Sequence, residues 1–346
     1  MKRRTFCGSL AAFSIMPLAG LGFTAGAGGV TKPKALKKGD MVGIIAPGTA
    51  VSDPDALESA AEVINFMGLK PVFGKSVSKG PGYKTRPIGD RIDDLHSMFA
   101  NPEIKAVYCI RGGYGSPQLL NKIDYELIKN NPKIFAGYSD VTALHLAFNK
   151  ICGLVTFHGP VMVSSFTKYT FDSFYKAQFD TSPMGIIRNP ESKGFIRETF
   201  PTRAITPGKA RGRLIGGNLS LIAATMGTPY EIDTRGTILC IEDVDEEPFR
   251  IDRMLTQLDL AGKLQAASGI AFGRCSGCDG NNLEPSKVWD LSLGEVLDSI
   301  IGKYKIPAFY GLNFGHTAEQ ATLPLGAEAE MDANLGIIDV LESGVE

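Results

Sequence analysis

Ser139 sits where a hydroxyl can act as a nucleophile. It lies near the end of the stretch Lys133-Ile134-Phe135-Ala136-Gly137-Tyr138-Ser139-Asp140, a short apolar run followed by a tight turn, and a helical pattern runs on from Val141 to Lys150. Strand, turn with a serine at its tip, then helix is the layout of a nucleophile elbow, which lifts the hydroxyl out of a sheet. The helix start behind the turn offers free N–H groups to a developing negative charge. The usual G-x-S-x-G pattern is incomplete, because Val141 stands in place of the second glycine. On this stretch alone the simpler reading, that Ser139 or Asp140 caps a helix, is preferred. A serine nucleophile also needs a base, most often histidine, and the chain has four: His96, His145, His158 and His316. His145 lies on the elbow's own helix, too far along it to reach back, and His96 borders the apolar face of another helix. His158 and His316 remain, both at strand ends, and each taken singly is more often structural. Glu242, also at a strand end, would orient a base as the acid of a triad does. Alternatively it is one solvated carboxylate in the run Glu242, Asp243, Asp245, Glu246, Glu247.

A second stretch with chemical potential is Arg111-Gly112-Gly113-Tyr114-Gly115, after a strand-like run, where glycines let the backbone bend and bring N–H groups close to a bound atom. It lacks phosphate-loop spacing. Ser116 is a rival nucleophile, but Pro117 follows it, and Ser-Pro reads as a helix cap and first-turn pair. Cys109, Cys152 and Cys240 lie in apolar runs and read as small core residues. Cys275-Ser276-Gly277-Cys278 is a lone CxxC, short of the four ligands of a structural zinc site; it either closes a local disulfide after export or stays as two thiols. No HExxH and no acidic calcium loop occurs, so no metal and no cofactor is expected.

These residues need elements to position them. Strand-like runs at Met41–Ala46, Lys70–Phe73, Lys105–Ile110, the elbow strand and Leu154–Phe157 alternate with helical patterns at Asp53–Met67 and Arg86–Ala100, the latter with Ile88, Ile92, Leu95 and Phe99 on one face. Such alternation implies a parallel sheet with helices on both sides and ligands at the C-terminal strand ends. The pattern fades over 184–212, which reads as a connector. Beyond it, Thr237–Ile241, Gly269–Phe272 and Ala308–Phe314 read as strands, Leu219–Met226, Pro248–Leu260 and Leu291–Tyr304 as helices, and Glu328–Leu341 as a hairpin, with Asn218 and Pro248 suited to helix starts. The expectation is α/β: a parallel-sheet domain of Rossmann or flavodoxin-like type over 32–183, and a smaller α/β domain over 213–346. A length of 346 residues accommodates two cores, and 44% apolar content with a formal net charge of −1 describes a globular chain with no electrostatic reason to bind nucleic acid. Residues 1–27 stand apart. Lys2, Arg3 and Arg4, the apolar stretch Leu10–Phe23 and the small residues through Ala27 read as an export signal, and Arg3-Arg4-Thr5-Phe6 is similar to the twin-arginine type. The run is short and glycine-rich for a membrane span, so cleavage and an extracytoplasmic, periplasmic location are expected.

Taken together, Arg111-Gly112-Gly113-Tyr114-Gly115, Gly137-Tyr138-Ser139-Asp140, His158-Gly159-Pro160, Gly216-Gly217-Asn218-Leu219, Ile241-Glu242-Asp243, Asp252-Arg253-Met254-Leu255 and Gly315-His316 resemble, in order and separation, the LD-carboxypeptidases, a family that includes the microcin immunity peptidases. The resemblance covers nearly everything after the signal and overturns the capping preference for Ser139. It implies Ser139 as nucleophile, His316 as base and Glu242 as its partner. It also implies an oxyanion hole from the backbone N–H of Asp140 and of Gly112 or Gly113, and a homodimer. The site then forms in the cleft between the halves, and the reaction is release of D-alanine from murein tetrapeptide. Arg111, with Arg253 as an alternative, would fork the free carboxylate of the substrate; Tyr114 and His158 are further candidates for substrate contact. Two other readings are an immunity-type peptidase cleaving a peptide–nucleotide amide, for which the sole tryptophan, Trp289, lies far from the motifs, and an exported two-lobed binding protein.

Overall fold

A computed structural model describes residues 29–78, 86–191, 194, 196, 198–279 and 291–346. The export signal and Trp289 therefore lie outside the described residues. Five strands of the first half, β1 (Met41–Ile45), β2 (Lys70–Phe73), β3 (Ile104–Cys109), β4 (Ile134–Gly137) and β5 (Thr156–His158), are parallel neighbours in the order β5-β4-β3-β1-β2. Apart from the edge strand β2 they are buried almost throughout, as strands covered by helices on both faces must be. Ile92, Leu95, Phe99, Phe135 and Phe148 fill one side of this sheet. Ile88, expected on the same apolar face, is 39% exposed, because it stands at the first residue of the helix Ile88–Ala100.

The second sheet has eight strands in the order β6-β14-β13-β8-β9-β10-β11-β7. Its members are β6 (Gly185–Ile187), β7 (Arg203–Thr206), β8 (Lys209–Asn218), β9 (Ile238–Glu242), β10 (Gly269–Gly273), β11 (Ala308–Leu312), β13 (Glu328–Asp332) and β14 (Ile337–Val340). Strand β8 divides its pairing: Lys209–Arg213 run antiparallel to β13, and Leu214–Asn218 run parallel to β9. The stretch 184–212, expected to be a connector, therefore supplies β6, β7 and the start of β8. These strands escaped notice because β7 and the first residues of β8 are largely solvent-facing and carry no apolar run.

Strand β12 (Leu323–Leu325) leaves the second half and pairs antiparallel with β5, Leu323 opposite His158. The loop 313–322 between β11 and β12 thus crosses from one sheet to the other. A second tie lies at the elbow helix, where the N–H of Asn218 donates to Thr142 Oγ1 at 2.9 Å. Asn218 also caps the helix Leu219–Thr225 through its side chain, as its sequence position implied.

Candidate active site

Strand β4 ends at Gly137, and the chain turns sharply through Ser139, one of three non-glycine residues with positive φ among those described, at 65°. Neither Ser139 nor Asp140 caps the following helix with its side chain; Tyr138 stands at the cap position of the turn Ser139–Val141 and Val141 at that of the helix Thr142–Ala147. The capping alternative is thereby removed, and what the turn does instead is present the hydroxyl. Ser139 Oγ stands 3.1 Å from His316 Nε2, and His316 Nδ1 stands 2.7 Å from Glu242 Oε2. With Nδ1 facing a carboxylate, the proton belongs on Nδ1, and Nε2 is left to accept from the serine hydroxyl.

Each member is held by its surroundings. Glu242 ends β9, fully buried, and one oxygen, Oε2, also accepts the backbone N–H of His316 at 3.2 Å. Gly315 makes this approach possible: it has φ 80°, and a Cβ there would lie 2.2 Å from Glu242 Oε2. Its carbonyl accepts from Gln320 Nε2 at 2.6 Å, and Tyr138 meets the His316 ring edge-on at 4.8 Å. Burial on its own would lower the His316 pKa. The Glu242 hydrogen bond, together with the charges of Glu242, Asp243 and Asp245, outweighs burial and holds it above the ordinary histidine value.

The glycine loop lies against the elbow. A Cβ on Gly112 would come 2.9 Å from Ser139 Cβ and 3.2 Å from its Oγ. Among the described residues no acceptor takes the N–H of Gly112, Gly113 or Asp140. The loop is fixed from outside: Thr49 N–H donates to the Gly112 carbonyl at 3.1 Å, and Thr49 Oγ1 accepts from Tyr114 N–H at 3.0 Å. The buried Asp140 carboxylate accepts from the N–H groups of Gly115 at 3.2 Å and Ser116 at 2.7 Å. Ser116, expected from its sequence to cap the helix that starts there, does not: Gly115 occupies the cap position, and the buried Ser116 hydroxyl has no partner among the described residues. Arg91, buried in the helix Ile88–Ala100, donates to the carbonyls of Pro47 and Gly115 and to Gln118 Oε1. Sequence reading missed Arg91, Asp140's carboxylate and Thr49. Only Arg91 left a signal, a charged residue at helical spacing from Ile88 and Leu95 on the buried face of an amphipathic helix.

Among the candidates for substrate contact, Arg111 is half-buried and has no ion pair among the described residues, and Tyr114 is 59% exposed on the same loop. Arg253 is exposed, with its guanidinium 5.4 Å from the centre of the Phe249 ring. His158 does not line the cleft, contrary to expectation. It is fully buried among Tyr138, His145 and Phe314, with neither ring nitrogen bonded, because β12 covers the end of β5. Burial first, then the neighbouring His145 and His316, push its pKa well below the ordinary value. His145 is also buried, bonded through Nε2 to the Gly137 carbonyl at 2.8 Å, and its pKa is lowered to about 4, chiefly by burial. Cys275 and Cys278 form a disulfide.

Residues 42–159 match the LD-carboxypeptidase N-terminal domain and residues 211–331 the C-terminal domain. The chain belongs to the LD-carboxypeptidase family. It is 42% identical over 315 residues to the probable murein peptide carboxypeptidase of Bacillus subtilis, covering 91% of this chain and 95% of that one. Among solved structures of this family, the microcin C7 self-immunity protein MccF superposes with a TM-score of 0.77 at 29% identity, covering 91% of this LD-carboxypeptidase-family chain and all of that one. The muramoyltetrapeptide carboxypeptidase from Oxalobacter formigenes superposes with a TM-score of 0.73 at 28% identity, covering 88% and 99%. The chain is thus a peptidase of the two-domain α/β kind that its motifs implied.

Proposed function

We propose that this protein is a serine-type LD-carboxypeptidase that releases the terminal D-alanine from murein tetrapeptides. The observation that carries the reading is the hydrogen-bonded line Ser139 Oγ to His316 to Glu242, in a family whose relatives include a murein peptide carboxypeptidase. Ser139 attacks the amide carbonyl while His316 Nε2 takes its proton, and buried Glu242 stabilises the imidazolium that forms. The free N–H groups of Asp140 and of Gly112 or Gly113 would receive the oxyanion. His316 returns the proton to the leaving amine of D-alanine, and water then releases the acyl-enzyme by the same relay. Arg111, which has no ion pair among the described residues, suits the free carboxylate that an exopeptidase must hold, with Tyr114 flanking it. The two domains, with residues 184–212 counted in the second sheet, would close on the substrate between them.

The test is mass spectrometry of murein tetrapeptide incubated with purified protein. Loss of one alanine is expected, and Ser139→Ala should slow it by a factor on the order of 10^6. Unchanged tetrapeptide, with a serine-reactive probe still attaching to Ser139, would move the substrate to an aminoacyl-nucleotide amide of the immunity type. Neither turnover nor labelling would leave a binding protein. The same proposal places the mature protein outside the cytoplasmic membrane after loss of residues 1–27, checked by N-terminal sequencing of the periplasmic fraction. It also makes the protein a homodimer, checked by sedimentation equilibrium.

A further inference from the structure

The loop closed by the Cys275–Cys278 disulfide bonds along the segment that carries His316. Arg274 N–H donates to the Leu312 carbonyl at 2.9 Å, Arg274 Nε donates to Asn313 Oδ1 at 3.2 Å, and Ser276 Oγ donates to the carbonyl of His316 itself at 2.6 Å. The same loop also grips the chain just beyond Glu242. The Ser276 carbonyl accepts Asp245 N–H at 2.8 Å, Val244 and Ser276 form a β-bridge, and Asp245 is held at φ 52°. Both cysteines are buried, 2% and 0% exposed, and their Cα atoms are 5.5 Å apart. One four-residue ring therefore touches the segments bearing two of the three relay residues.

We propose that the Cys275–Cys278 disulfide and Ser276 form a redox-dependent positioning device for His316, with Ser276 as the positioning residue. This rests on the triad reading above and adds to it. A ring this small removes little freedom from the unfolded chain, so its contribution to global stability is modest. Its local effect is to hold the Ser276 hydroxyl under the His316 carbonyl. Reduction by a dithiol transfers two electrons and two protons to the S–S bond, giving two buried thiols and oxidised dithiol, and frees the ring to relax. The protein would then be fully competent in an oxidising compartment and impaired in a reducing one.

The experiment compares oxidised protein, dithiol-reduced protein, the Cys275→Ser/Cys278→Ser double variant, Ser276→Ala and Ser276→Thr. The readouts are D-alanine release across pH and the rate at which a fluorophosphonate probe labels Ser139. Reduced protein, the double variant and Ser276→Ala should each lose roughly 10- to 100-fold in kcat with KM little changed. Their acidic limb should move to lower pH as His316 slips from Glu242. Reoxidation should restore the reduced protein, and Ser276→Thr, which keeps the hydroxyl, should retain activity. Parent kcat and an unmoved pH limb in the reduced protein would overturn the inference, as would loss of activity with no shift of the limb. Equal labelling and turnover in oxidised parent and Ser139→Ala would instead bring down the triad reading.

Discussion

At Ser139 the backbone adopts a left-handed conformation that costs a non-glycine residue about 1–2 kcal/mol. In return the hydroxyl stands 3.1 Å from His316 Nε2. The pH behaviour of activity follows from His316. It must be neutral to accept the serine proton; burial would lower its pKa, but the Glu242 hydrogen bond and the charges of Glu242, Asp243 and Asp245 together outweigh burial and raise it. The acidic limb of kcat/KM should therefore lie above about 6.5, the ordinary histidine value. Glu242→Gln removes the charge that raises it. The limb should move to lower pH while kcat falls by about 10^4-fold, since an amide no longer fixes the tautomer. A pH–rate profile of the two proteins checks both statements, and a limb that stays in place would argue against Glu242 as the orienting acid.

The elements of the site meet with little spare room. Gly112 and the Ser139 turn belong to different strand ends, β3 and β4, yet any Cβ on Gly112 would reach within 2.9 Å of Ser139 Cβ and 3.1 Å of the Tyr138 carbonyl. Gly112→Ala should thus displace the nucleophile and cost about 10^2-fold in kcat. The expected melting temperature is close to the parent's, because the clash falls on loops and not on the packed sheet; calorimetry beside kinetics separates the two effects. Legibility was uneven at this scale. The helices Pro54–Phe66, Pro248–Leu260 and Ile88–Ala100 were visible because their apolar residues recur with helical spacing. Strands β6 and β7 were not, because three or four half-exposed residues leave no periodic trace.

Across the whole molecule, buried histidines tie stability to pH. His145 and His158 are kept neutral in the fold, His145 with a pKa of about 4 and His158 lowered well below the ordinary value, both chiefly by burial. In the unfolded chain they titrate near about 6.5. The stability they confer is complete above that value and is lost as pH falls through their folded pKa values, since the unfolded state then binds more protons. His316 has the opposite sign: its raised pKa contributes stability below about pH 6.5, lost as pH rises through its folded value. Because the His316 contribution changes only above about pH 6.5, the two buried histidines set the slope below it, and the denaturant midpoint should fall as pH drops from about 6.5 to 4. His158→Phe has no hydrogen bond to lose, as neither ring nitrogen is bonded among the described residues. It should flatten that slope and leave KM unchanged, whereas a raised KM would return His158 to the substrate site.

Sequence alone determined the parts whose information is local: the alternation of strands and helices, the elbow turn, the glycine loop and the helix starts at Asn218 and Pro248. Family-like motif order added the trio Ser139, Glu242 and His316. Local pattern carries no distance between residues far apart in the chain, so it is the tertiary structure that brought His316, and not His158, to the serine. It did so by pairing β12 with β5, which buries His158 and brings the His316 loop across to Ser139. For the same reason only the fold revealed that Asp140 and Arg91 brace the glycine loop, and that a disulfide loop far from Ser139 in sequence holds the His316 carbonyl. Each of these depends on polar groups finding partners once water is excluded, a condition that no single stretch of sequence records.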